Sequence, residues 1–200
     1  MSNPNLKLST NCLKVVGFDP SLRNWGIAAG KLYLGDTNHL EIATLEVVQP
    51  DLPNGKQIRQ NSLDLISAHL LAAEAFKFIK EADAVFVEVP VGSQSSRAMA
   101  SYGICVGILG ALKAHEVPFF ELSPEEVKRA SVGIKTASKA QMIEWAVSNY
   151  PQAPWPVQKQ KGVTSIVTGK AEHMADAIAT IQAGITCLPF QQLLALLKAR

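Results

Sequence analysis

The sequence predicts an α/β fold, a mixed five-stranded sheet with helices on both faces, and three observations predict it. Two β-rich runs, Lys14–Phe18 and Trp25–Ala29, flank the turn-forming DPSLRN, and a third, Leu40–Val48, follows the polar GDTNH, which gives an antiparallel meander. After the meander, short apolar runs alternate with helical patterns, and strands joined through helices lie parallel. The 200 residues, 48% hydrophobic and 18% charged, suffice for one domain with a sizeable core.

Each later element has its own signal. From Gln57 to Lys80, the residues Ile58, Ile66, Leu70, Ala73 and Phe76 mark a long amphipathic helix. Ala84-Val85-Phe86-Val87 is a short apolar strand that ends at Glu88. Ser95–His115 is a small-residue helix whose Gly103, Gly107 and Gly110 allow close packing, either on the sheet or against a second copy. Val117–Leu122 supplies the fifth strand. Two helix starts follow, at Ser123-Pro124-Glu125-Glu126 and Ser138-Lys139-Ala140-Gln141. Each pairs a capping serine with Glu or Gln three residues on, and the first adds proline at the opening helical position. Residues 151–170, rich in proline and lysine, read as a loop or hairpin before a last strong helix, Ala171–Ile185. A single domain is expected over 1–200, with a flexible start at 1–12 and a tail helix within 186–200.

Composition narrows the function. No apolar run reaches the roughly 18 residues of a membrane span, and MSNPNLKLSTN lacks the apolar stretch of a signal peptide, so a cytoplasmic protein that does not engage a membrane is expected. Cys12, Cys105 and Cys187 are widely spaced in apolar surroundings and read as buried thiols without a zinc pattern. The net charge of +2 is small but uneven. Residues 1–122 carry ten basic against twelve acidic side chains, and residues 123–170 carry seven against three. A basic stretch of this kind suits a nucleic-acid partner.

The acidic residues raise the chemical question. Asp19 ends an apolar strand, where a bare carboxylate costs several kcal/mol unless it is paired or holds a metal. Glu88 ends another strand, and a place beside the first would bring it near Asp19. In KAEHMADAIATI, His173 and Asp176 are three apart and share one helix face, while Met174, Ala177, Ile178 and Ile181 form the inward face. Three carboxylates and one imidazole suit two divalent ions such as Mg²⁺ or Mn²⁺.

The order βββ–α–β–α–β–α–α–α is that of a ribonuclease H-like domain, and over Val15–Ala183 the chain resembles the RuvC family of Holliday junction resolvases within that superfamily. GFDPSLRNWG is similar to the family's first-strand motif, which makes Asp19 the catalytic aspartate. FVEVP resembles the segment that holds the catalytic glutamate, here Glu88. HMADAIA resembles the closing helix motif, whose two ligand positions fall on His173 and Asp176; the first is Asp in many members and His in some. EVKRASVGIKTASKAQM resembles the segment with two lysines eleven residues apart that support cleavage and DNA contact, here Lys128 and Lys139.

The resemblance implies a homodimeric endonuclease that resolves four-way DNA junctions by paired nicks, with two Mg²⁺ per active site and Mn²⁺ as a substitute. It implies catalytic roles for Asp19, Glu88, His173, Asp176, Lys128 and Lys139. DNA contacts are expected at Lys128, Arg129, Lys135, Lys139, Lys159 and Lys161. Two departures mark a divergent, phage-type member: Val89-Pro90-Val91-Gly92 stands where the family often has an aromatic wedge, and segment 151–170 is longer than usual. Action on other branched DNA or on RNA–DNA hybrids, and junction binding without cleavage, are the alternative readings.

Overall fold

The computed structural model describes residues 11–55, 57–160 and 163–198. Strands β1 (Cys12–Asp19), β2 (Trp25–Tyr33) and β3 (His39–Val48) form the antiparallel meander, and β4 (Ala84–Glu88) and β5 (Phe119–Leu122) add in parallel beyond β1. The sheet order is therefore β3-β2-β1-β4-β5. Helix α1 (Gln60–Ile79) crosses from β3 to β4, and α2 (Ser96–Lys113) from β4 to β5. Then come α3 (Pro124–Ser131), α4 (Lys139–Asn149), a hairpin of β6 (Val157–Gln160) and β7 (Val163–Ile166), α5 (Thr168–Thr186) and α6 (Leu188–Lys198).

The strand period of two sorts side chains into two cores. Val16, Phe18, Ile27, Val85 and Val87 pack with Leu71, Ala75 and Ile79 of α1 and Cys105, Ile108 and Leu112 of α2. On the other face Val15, Ala28 and Phe86 pack with buried residues of α3, α4, α5 and α6. Phe86 meets Phe190 edge-on with ring centroids 5.0 Å apart, which fixes α6 against β4. Burial of each such side chain stabilises the fold by roughly 1.5–3 kcal/mol.

Helix α5 is the centre of the second core, and the inward face predicted for it is right: Met174, Ala177, Ile178 and Ile181 are all buried. Its close approach depends on two strand glycines. A Cβ at Gly17 would collide with the Ala177 carbonyl, and one at Gly26 with the His173 carbonyl. Both capping boxes form. Ser123 accepts from the Glu126 amide and Ser138 from the Gln141 amide, and each partner side chain returns to the serine's backbone.

Several expectations need correction. Gly103, Gly107 and Gly110 do not pack on the sheet, for a Cβ at any of them would meet nothing within 4 Å. The helix instead packs through Cys105, Ile108, Leu109 and Leu112, because the larger apolar residues bury more area. In α1 the buried stripe is Asp64, Ser67, Leu71, Ala75 and Ile79, whereas Leu70 is 36% exposed and Ala73 faces solvent. Asp64 takes an inward position because Arg97 clamps it with two hydrogen bonds of 2.6 and 2.5 Å. Among the cysteines only Cys105 is buried, while Cys12 and Cys187 are half-buried. The first ten residues of the expected flexible start lie outside the described residues, and Cys12 already belongs to β1. No single helix among the described residues is long and apolar enough to cross a membrane.

Candidate active site

Strand register assembles the first two acids. Phe18 pairs with Val87 in the parallel β1–β4 ladder, and both point toward α1 and α2. One residue further, each strand ends in an acid, Asp19 and Glu88, and alternation turns both toward the α5 face. The third and fourth groups come from α5. Asp19 lies opposite Gly26 in the β1–β2 ladder, and the bare backbone at Gly26 lets the first half of α5 settle there. His173 is thereby delivered to Asp19, with Nδ1 2.8 Å from Oδ2. Asp176, one helical turn on, is half-buried beside the two carboxylates.

The electrostatics follow from this crowding. Burial first, and then the Asp19 charge, push the Glu88 carboxyl up to about 7; Lys128 of α3 pulls it partly back. Burial likewise raises Asp176 to about 8, with Asp19, Glu88 and Glu172 adding repulsion. His173 is held above the usual imidazole range chiefly by its hydrogen bond to Asp19. Donation by Nδ1–H to Asp19 leaves Nε2 as the nitrogen able to accept an ion or a water proton.

Among the described residues no three His, Cys, Asp or Glu side chains are disposed to hold one metal ion as they stand. The donor chemistry nonetheless fits hard divalent cations. Three carboxylates and an imidazole share one small region, and the two carboxyls raised first by burial and then by neighbouring negative charge are groups whose ionised form a cation would stabilise.

The basic residues divide into groups. Lys128 is half-buried and acts electrostatically on Glu88 and Asp176. Lys139, the first residue of α4, is exposed, and its Nζ lies 2.6 Å from Glu172 Oε1. Arg129 and Lys135 both reach Glu125, at 3.7 Å each, on the exposed side of α3. Lys161 lies outside the described residues, as does the side chain of Lys159, whose backbone is part of β6. Sequence reading missed Glu172, although KAEHMAD places it directly before His173, and the Arg97–Asp64 clamp, for which SQSSR gave no charge-pair signal.

The chain has a ribonuclease H-like fold, with the strand order and helix layers described above. Within that class its fold is RuvC-like. A solved structure of RuvC from Thermus thermophilus superposes with a TM-score of 0.62 at 18% identity, covering 92% of this chain and 97% of that one. T. thermophilus RuvC in complex with a Holliday junction substrate superposes with a TM-score of 0.59 at 18% identity, covering 86% and 92%. No protein-family model and no curated protein sequence matches the chain.

Proposed function

We propose that the chain is a divalent-cation-dependent endonuclease that resolves four-way DNA junctions by paired nicks. The observation that carries this reading is the meeting of Asp19, Glu88, His173 and Asp176 at one edge of the sheet, flanked by Lys128 and Lys139. The likeness to a RuvC that was solved with a Holliday junction supports the same substrate class here. The protein works in the cytoplasm on this reading.

Asp19, Glu88, Asp176 and His173 Nε2 would hold two Mg²⁺, for which Mn²⁺ substitutes. Such ions, when bound, lower the pKa of a water nucleophile and offset charge on the departing 3′ oxygen. The remaining work belongs to the chain. Asp19 fixes the tautomer of His173 and aims its ring. Lys128 balances the charge of Glu88 and Asp176 and would neutralise charge on an incoming phosphate. Lys139, Arg129, Lys135, Lys159 and Lys161 bind the backbone of the DNA arms. The products carry a 5′ phosphate and a 3′ hydroxyl.

Symmetric nicks in a nearly two-fold junction call for two sites related by a dimer axis. The exposed side of α2 suits a second copy. Gly103, Gly107 and Gly110 are open to close approach, Met99 and Val106 are each 46% exposed, and residues 98–112 carry no charge.

Cleavage of a labelled four-way junction, beside duplex, flap and RNA–DNA hybrid, with Mg²⁺ or Mn²⁺ and with Asp19→Asn as control, tests the reading. Paired nicks lost in the variant support it. Cutting confined to another substrate moves the assignment to another nuclease of this fold, and binding without cutting moves it to a junction-binding protein.

A further inference from the structure

The pairing of Lys139 with Glu172 points to a device that sets how readily the protein grips DNA. Lys139 stands at the N-terminus of α4, an 11-residue helix, where its ammonium and the helix dipole favour an anion together. The anion found there is internal: Glu172 Oε1 lies 2.6 Å from Lys139 Nζ. The lysine side chain is 78% exposed, whereas Glu172 is 22% exposed and fixed on α5 directly before His173. A flexible cation is therefore held by a rigid carboxylate at the margin of the acidic cluster. The Asp176 and Asp19 charges also reach it. Neither Arg129 nor Lys135 is held so closely, since both share Glu125 at 3.7 Å.

We propose that Glu172 is an internal stand-in for a DNA phosphate, occupying Lys139 in the free protein so that DNA gains this contact only by displacing a carboxylate. The inference rests on the DNA-binding part of the proposed function. A carboxylate and a phosphate diester offer the same ammonium a singly charged pair of oxygens, so they compete for one place. Duplex that touches the protein only through its backbone has little to offset the displacement. DNA seated on the rest of the site brings the phosphate to Lys139 at high effective concentration and takes it over. Glu172 is thus a specificity-determining residue rather than a catalytic one.

The test is equilibrium binding of duplex and of a four-way junction in EDTA across a salt series. It uses wild type, Glu172→Gln, Lys139→Met and the double variant, each first shown by thermal melting to be folded; Glu172→Ala replaces Glu172→Gln if that variant is not. Glu172→Gln is expected to bind duplex several-fold more tightly, with the slope of log K against log salt steeper by about 0.9, the contribution of one further phosphate contact. The gain is expected to vanish in the Lys139→Met background. An unchanged slope, or an equal gain in the double variant, overturns the proposal, as does a wild type that binds no DNA. Because no divalent ion is present, cleavage does not enter. A protein with the expected slopes that cuts nothing refutes the nuclease reading alone, and one that cuts junctions with an unchanged slope refutes the Glu172 role alone.

Discussion

His173 Nδ1 donates to Asp19 Oδ2 at 2.8 Å, a contact that joins α5 to the end of β1 across 154 residues of sequence. Both side chains are largely withdrawn from solvent, at 20% and 16% exposure. The contact accounts for an acid at the end of an apolar strand, because the carboxylate gains a charge-assisted partner when the imidazole is protonated. When the ring is neutral, the same contact leaves His173 Nε2 as the nitrogen available for chemistry.

Removal of that imidazole is expected to impair cleavage without abolishing DNA binding. His173→Ala should lower single-turnover cleavage by about 10²- to 10³-fold, the range for loss of one electrostatic or acid–base group. His173→Asp should retain much of the activity and reach half-maximal rate at lower Mn²⁺, since a fourth carboxylate strengthens a hard-cation site. A Mn²⁺ titration of the cleavage rate in both variants checks this.

Stability of the metal-free protein should fall as the pH rises. Glu88 and Asp176 have folded-state values of about 7 and about 8, above those of an unfolded chain. A carboxyl shifted upward by folding stabilises the fold while it is protonated. That contribution is complete below the unfolded value and is lost as pH rises through the folded one. His173, also shifted upward, acts in the same direction. Thermal melts in EDTA should therefore show Tm decreasing by about 5 °C or more between pH 6 and 9, and millimolar Mg²⁺ or Mn²⁺ should remove most of the decrease. A flat profile in EDTA would contradict the buried-acid account.

Gly26→Val should push α5 off the sheet, because the space for a Cβ is filled by the His173 carbonyl. The expected loss is about 1–3 kcal/mol of folding stability, measured by urea denaturation. His173 would be displaced from Asp19 by the same movement, so cleavage should fall further than stability alone explains.

Self-association through α2 gives a fourth test. The native chain should run as a dimer at micromolar concentration in size exclusion with light scattering. Gly107→Arg, on the exposed face, should give a folded monomer with Tm changed by no more than about 2 °C, as for other surface substitutions, and with paired nicking lost.

Much of the architecture was legible in the sequence because its causes are local. Alternation in KVVGF and WGIAA, the two capping boxes and the apolar stripe through Met174, Ala177, Ile178 and Ile181 each act within a few residues. Strand-end position and helix-face spacing pointed to the four candidate site residues, and the resemblance in GFDPSLRNWG, FVEVP and HMADAIA fell on the same four. Which side of a helix is buried was less legible when several sides were apolar. In α1 the choice of Asp64 over Leu70 follows from Arg97, 33 residues away, and in α2 the glycines face outward because the bulkier residues took the sheet.

The sequence by itself determined the order of strands and helices, the caps and the residue types at the site, since these follow from short-range periodicity, turn chemistry and motif. Only the tertiary structure decided that His173 grips Asp19, that Glu172 holds Lys139, and that Gly17 and Gly26 admit α5. Those are meetings between segments more than thirty residues apart, fixed by strand register and by where backbone can approach backbone, and no local pattern encodes them.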